Sequence, residues 1–281
     1  MKSFFITMFF VVFYCITQVE AASLVTGSKI TNKPDIVGSS STAPGADSRA
    51  AMGSVTYEKS TISGSTLTNT SSVKQSVNSA TAAGSRASLG SITMEKAKVT
   101  GSSVTNTGTA TNVVNSATGA GAVAAAGAVA VMDSAVTGAT LTNKSTIENA
   151  TNAASGANSK AAMGAVVATG ARISGSALTN RATIQQSTNR AQSAGSMAST
   201  GSVDVEKTQV TGSRVTNTTD VTSSANTAAG TGAVATMGSV SVRGGTVGGS
   251  TIVNRSSIRN SVNSATGVGS NASMGSVNSI E

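Results

Sequence analysis

The residues able to do chemistry are few, and their arrangement argues against catalysis. Hydroxyls are abundant, but the chain contains no histidine that could serve them as a base. The single cysteine, Cys15, lies in the first 21 residues. Acidic residues number 11 and are scattered. Glu58-Lys59, Glu95-Lys96 and Glu206-Lys207 recur in one register and read as a solvated charged edge. No histidine, cysteine or carboxylate cluster has metal-ligand spacing, so the expectation is an enzyme-free chain without catalytic residue, metal or cofactor. The run Gly244-Gly245-Thr246-Val247-Gly248-Gly249 has the look of a phosphate loop but lacks its Lys-Ser/Thr ending. Asn69-Thr70-Ser71 is a formal glycosylation sequon, read here as a by-product of the repeat. What remains is the side-chain amide, which carries donors and an acceptor together.

The amides are placed by a repeat. Asn32, Asn69, Asn106, Asn143, Asn180, Asn217 and Asn254 are each 37 residues apart, with no insertion or deletion. A second column, Asn78, Asn115, Asn152, Asn189, Asn226 and Asn263, keeps the same step, with Ser41 in the first repeat. Glycines do likewise at Gly27, Gly64, Gly101, Gly138, Gly175, Gly212 and Gly249. So do Gly53, Gly90, Gly127, Gly164, Gly201, Gly238 and Gly275. Strict phase over seven copies points to stacked units, because independent beads would tolerate linkers of varied length.

Apolar positions define the elements that carry these columns. Leu67, Leu141 and Leu178 belong to one column, Val55, Ile92 and Val166 to a second, Val73, Ile147 and Ile184 to a third, and Ile62, Val136 and Ile173 to a fourth. Within a repeat they sit in alternating stretches such as Val203-Asp204-Val205, and a period of two means a strand with one face inward. The Ala-rich run 122–131 has helix-like composition, but its columns elsewhere hold Ser, Gly and Val, so it reads as strand and turn. The expected fold is therefore all-β, a β-solenoid of stacked cross-β layers with one 37-residue repeat per layer. Burial of each Val, Ile or Leu contributes roughly 1.5–3 kcal/mol, against a large chain entropy, so neighbouring layers must form together. The asparagines at Asn32 and its copies read as a hydrogen-bonded ladder. For Asn78 and its copies a ladder and a left-handed turn remain equally open. The glycines read as corners.

Composition supports an unusual core. Aromatics are 2% of the chain, and after Tyr14 only Tyr57 remains. Residues 1–21 form a separate unit: Lys2, an apolar stretch from Phe4 to Ile16, and Val19-Glu20-Ala21, the layout of a cleavable secretory leader. Residues 22–63 form a first repeat that holds both prolines, Pro34 and Pro44, and read as a partial cap. Residues 64–281 hold six further repeats. The formal charge is +8, with dispersed bases and no interleaved aromatics. That pattern implies loose polyanion affinity and no specific nucleic-acid site.

A secretory leader followed by imperfect 37-residue Ala/Gly/Ser/Asn/Thr repeats resembles the Fap functional amyloid subunits of pseudomonads and relatives, and is similar in logic to curlins. The resemblance rests on the Gly-Ser-x-apolar-Thr-Asn motif, the Ser-x-Asn-x-Ala segments at 76–80 and 261–265, and Met-Gly-Ser-Val at Met52, Met237 and Met274. It implies a secreted, cell-surface or extracellular protein that self-associates into biofilm fibrils, with related subunits and an outer-membrane secretion pore as partners. Contiguous repeats and the lack of a terminal Cys-x-x-Cys depart from the family pattern and leave the subunit role, major or nucleating, open. Two other readings stand beside it. One is a monomeric surface β-solenoid acting as adhesin or spacer. The other is an ice-binding solenoid using Thr31, Thr68, Thr105, Thr142, Thr179 and Thr216 as a flat face, disfavoured because Lys29, Ala177 and Arg214 break the neighbouring column.

Overall fold

The computed structural model describes residues 17–19, 24–45 and 48–280, and every regular element among them is a β-strand. The chain winds as a parallel β-solenoid of seven coils, each one 37-residue repeat. One coil illustrates all. A nine-residue strand, Thr140–Glu148, is followed by Thr151–Ser155, Lys160–Met163, Val166–Thr169 and Arg172–Ser174. Each strand pairs in parallel and in register with its copies in the coils before and after. Five sheets result, numbered I to V in the order of these strands, all running along the stacking axis.

Local sequence explains the strands and their ends. In Thr140–Glu148, Leu141, Asn143, Ser145 and Ile147 point inward, while Thr140, Lys144, Thr146 and Glu148 are exposed. In this coil each strand ends at a positive-φ residue: Asn149 (φ 49°), Gly156 (φ 121°), Gly164 (φ 58°), Gly170 (φ 60°) and Gly175 (φ 56°). Such a residue reverses the pleat, so the chain turns a corner without losing its hydrogen bonds to neighbouring coils. The run 122–131 is strand and turn: Val123–Ala126 and Val129–Met132 flank a corner at Gly127. Pro34 divides the first long strand into Lys29–Asn32 and Asp35–Val37, where later coils have nine unbroken residues.

The cross-section is folded inward. The strands of sheets III and IV turn back on each other, and their Gly-Ser or Gly-Ala corner reaches the middle of the long strand. Asn69 Nδ2 donates to Gly53 O at 3.1 Å, and Thr219 Oγ1 to Gly201 O at 2.6 Å. A Cβ at Gly164 would lie 2.9 Å from Ser145 Oγ and 3.1 Å from Ala182 Cβ, so this corner needs glycine for space as well as for φ. By contrast, Gly138 has nothing within 4 Å and is required by its backbone alone.

This inward fold divides the core into four compartments. Val166, Ala168, Ile173 and Leu178 join sheets IV, V and the first half of I. Met163, Ile147 and Ile184 join sheet III to the second half of I. Ala154 and Ala161 bring sheets II and III together, and Ala125, Ala162, Ala165 and Val167 fill the seam between III and IV. The expected single inward face therefore needs correction for sheets III and IV. Both their faces are buried, and Asp204, in the alternating stretch Val203-Asp204-Val205, is only 2% exposed. The alternation is present, but each face has its own partner layer.

Most of the expected leader, 1–21, lies outside the described residues. Its segment Thr17–Val19 is a strand that runs parallel to Val55–Tyr57 at the edge of sheet IV.

Candidate functional site

The columns singled out in the sequence become ladders along the stacking axis. Asn32 Nδ2 donates to Asn69 Oδ1 at 2.8 Å. Asn69, Asn106, Asn143, Asn180 and Asn217 each donate in the same sense to the next, ending on Asn254, all at 2.9 Å. The direction is uniform because each amide has one acceptor oxygen and one NH2 group, and stacking identical amides aligns them head to tail. Inside the stack these side chains are fully shielded from solvent, Asn143 being 0% exposed. Burial without partners costs about 1–3 kcal/mol per group; the ladder supplies those partners.

The second column is also a ladder. Asn78, Asn115, Asn152 and Asn189 each donate to the next asparagine at 2.8 Å, and Asn226 to Asn263 at 2.7 Å. None of these asparagines is in the left-handed region. Each Nδ2 also reaches across to sheet III: Asn152 to Ala124 O and Ala162 O, both at 3.2 Å, and Asn189 to Ser199 O at 3.1 Å. This column therefore ties sheet II to sheet III. It begins at Asn78 because Ser41 has no amide, and the Asn78 Oδ1 is buried without a partner. Asn69, head of the formal sequon, is 0% exposed and inside the ladder.

All fourteen glycines of the two columns have φ between 55° and 65°. The Gly27 series turns the chain from sheet V to sheet I, and the Gly53 series forms the inward corner. Sequence reasoning missed the residue after the corner. Ser65, Ser76 and Ser102 each donate a hydroxyl to the carbonyl two residues earlier, at 2.9, 2.7 and 2.8 Å. The same hydroxyls accept backbone N–H groups from the coil before, as Ser65 Oγ does from Ser28 N at 3.3 Å. The signal was available, since Ser follows most corner positions at the repeat spacing.

The Glu-Lys pairs also need correction, because only their lysines form a solvated edge. Lys59, Lys96 and Lys207 are exposed, while Glu58, Glu95 and Glu206 turn into the mouth of the III–IV seam. There Arg49 pairs with Glu58 and Arg86 with Glu95. Lys160 lies 2.9 Å and Arg243 3.4 Å from Glu206. The partners lie nine residues apart, or in an adjacent coil, so the doubling back of the chain creates them. Burial works to raise the Glu58 and Glu206 carboxyls, but the surrounding cations and their hydrogen bonds outweigh it and hold both below the usual range.

Deeper in the seam sits Asp204. Burial pushes its carboxyl up to about 6, against the opposing pull of hydrogen bonds from Ser199 and Thr236 and the charge of Arg243. Thr236 Oγ1 donates to Asp204 Oδ2 at 2.9 Å, and Oδ1 has no partner. Tyr57, the one aromatic of the repeats, is buried in the core, which raises its hydroxyl pKa.

Among the described residues no group of three or more histidine, cysteine or acidic side chains is placed to hold a metal, and no helix is long and apolar enough to cross a membrane. The fold and its ladders define the chain as a parallel β-solenoid with axial asparagine ladders. No protein-family model matches it, and no curated protein is found to match it.

Proposed function

We propose that this chain is a secreted structural subunit that self-assembles into extracellular functional amyloid fibres of a biofilm matrix. One observation carries the reading: each coil pairs in register with the next through five parallel sheets, so a coil is a template of the same shape as the unit it receives. The asparagine ladders add direction, since donors face one end of the stack and acceptors the other. The apolar segment 4–16 and the Val-Glu-Ala ending at Ala21 support export, and the resemblance to Fap subunits supports related subunits and an outer-membrane pore as partners. The test is to purify residues 22–281 from denaturant and incubate them. Fibres with a meridional reflection at about 4.7–4.8 Å, accelerated by preformed ends, are expected. A monomer that persists at high concentration overturns the proposal.

A second reading, a monomeric surface solenoid acting as adhesin or spacer, is favoured by one feature. The ladders and all four core compartments run through the coils of a single chain, which supports a solenoid that stands as a monomer. The same incubation decides between the two.

A further inference from the structure

Two groups of cations stand in contrasting environments. Those at the mouth of the III–IV seam face carboxylates, as described above. Those on the outer face of sheet I do not. That face exposes Lys29, Lys33, Lys74 and Lys144 from the earlier coils, and Arg181, Arg214, Arg255 and Arg259 from the later ones. Its only acids are Asp35, Glu148 and Asp220. Among the described residues no ion pair forms on this face. The face crosses all seven coils and is nine residues wide in six of them, the first being divided at Pro34.

Register sharpens the pattern. Thr70, Thr107, Lys144, Arg181, Thr218 and Arg255 are successive partners in one column, which Lys33 heads at the repeat spacing. Four of its seven positions are cations, three are threonines and none is an acid. At about 4.8 Å per coil the column runs about 29 Å along the axis. Beside it, two residues earlier in each strand, runs the threonine column of Thr68, Thr105, Thr142, Thr179 and Thr216. A row of fixed positive charge next to a row of hydroxyls, each both donor and acceptor, matches a chain that alternates carboxylates with sugar hydroxyls.

We propose that the outer face of sheet I is a docking surface for a linear acidic polysaccharide of the uronate class, laid along the solenoid axis over Lys33, Lys144, Arg181 and Arg255. The face carries no aromatic ring on which a nucleic-acid base would stack, and the sole aromatic of the repeats, Tyr57, is buried. That favours a polysaccharide over a nucleic acid. The inference is independent of fibre formation, because the face exists on a single chain.

The experiment uses the purified protein with polygalacturonate as the probe, neutral dextran as the uncharged control, and a random-sequence DNA duplex as the competing polyanion. The variant Lys144→Thr/Arg181→Thr/Arg255→Thr places at each position the residue already found at Thr70, Thr107 and Thr218, so the sheet is preserved. Its control, Lys96→Thr/Lys98→Thr/Lys207→Thr, removes the same charge from exposed positions elsewhere. Expected are salt-sensitive binding of polygalacturonate, none of dextran, and an affinity loss of about tenfold or more in the first variant against about twofold or less in the control. Equal losses in both variants would show a diffuse charge effect and overturn the assignment. Failure to bind polygalacturonate, or tighter binding of the DNA duplex with the same dependence on Lys144, Arg181 and Arg255, would overturn it as well.

Discussion

Sheet I and the III–IV arch are built from the same alternating strands, yet they use the alternation differently. In sheet I one face meets the core and the other meets water, so Thr142 and Lys144 stand outside while Asn143 is sealed within. In the arch both faces are buried, and residues that would otherwise be exposed, Ala162, Ser199 and Asp204, are packed against the returning strand. The outer face of sheet I thus tolerates lysine, arginine and threonine in one column. The seam accepts small side chains, with charge only at its mouth or with hydrogen bonds around it. The difference teaches that burial in this fold depends on where the chain doubles back, which a strand's own pattern does not report.

The sharpest way to break the comparison is to place the same charge in both regions. Ala125→Lys puts an ammonium into the seam at a position that is 0% exposed, and a cost of more than about 4 kcal/mol is expected. Thr142→Lys on the outer face is expected to change stability by less than about 0.5 kcal/mol. Urea unfolding followed by circular dichroism measures both, and equal effects would refute the closed seam.

A smaller effect is expected from the ladder that separates the two faces of sheet I. Asn143→Leu leaves Asn106 Nδ2 and Asn180 Oδ1 without partners, at a cost of about 2–4 kcal/mol. Thr142→Val beside it removes an outward hydroxyl and is expected to be nearly neutral. Amide hydrogen exchange should show the loss of protection centred on the coils around residue 143.

The seam also has a pH signature that sheet I lacks. The Asp204 carboxyl is raised to about 6, so the folded state holds its proton more tightly than the unfolded chain does. Stability therefore falls as pH rises from about 4 to about 6, and the cost persists above that, amounting to about 3 kcal/mol at neutral pH. Glu58 and Glu206 have lowered pKa values, and their contribution is lost only at more acidic pH. Asp204→Asn should raise the urea midpoint at pH 7 and abolish the change between pH 4 and 6. An unchanged profile would place Asp204 in contact with water.

The smallest effect concerns the start of the second ladder. Ser41→Asn supplies the missing amide to the buried Asn78 Oδ1, and a gain of about 1 kcal/mol is expected. The thermal midpoint should rise slightly, and a decrease would show that the half-buried site at position 41 has no room for the amide.

Much of this architecture was legible beforehand. Strict phase of the asparagine and glycine columns identifies the coil, and alternation around Leu141 to Ile147 identifies the strand and its inward face. The ion pairs at Glu58, Glu95 and Glu206 were not legible, because each glutamate precedes a lysine and reads as surface. The role of Asn78 and its copies was not legible either. A turn and a ladder place the same residue type at the same spacing, and only the carbonyls of sheet III, brought alongside, distinguish them.

By itself, then, the sequence determined the all-β class, the repeat length, the number of layers and which residues share a column. Repetition and the two-residue period of a strand are local properties, readable without any partner. Tertiary structure alone decided that sheets III and IV fold inward, that Asp204 lies in a closed seam, and which cations meet carboxylates. Alternation states which side chains share a face, but what that face meets depends on the path of the chain around its corners.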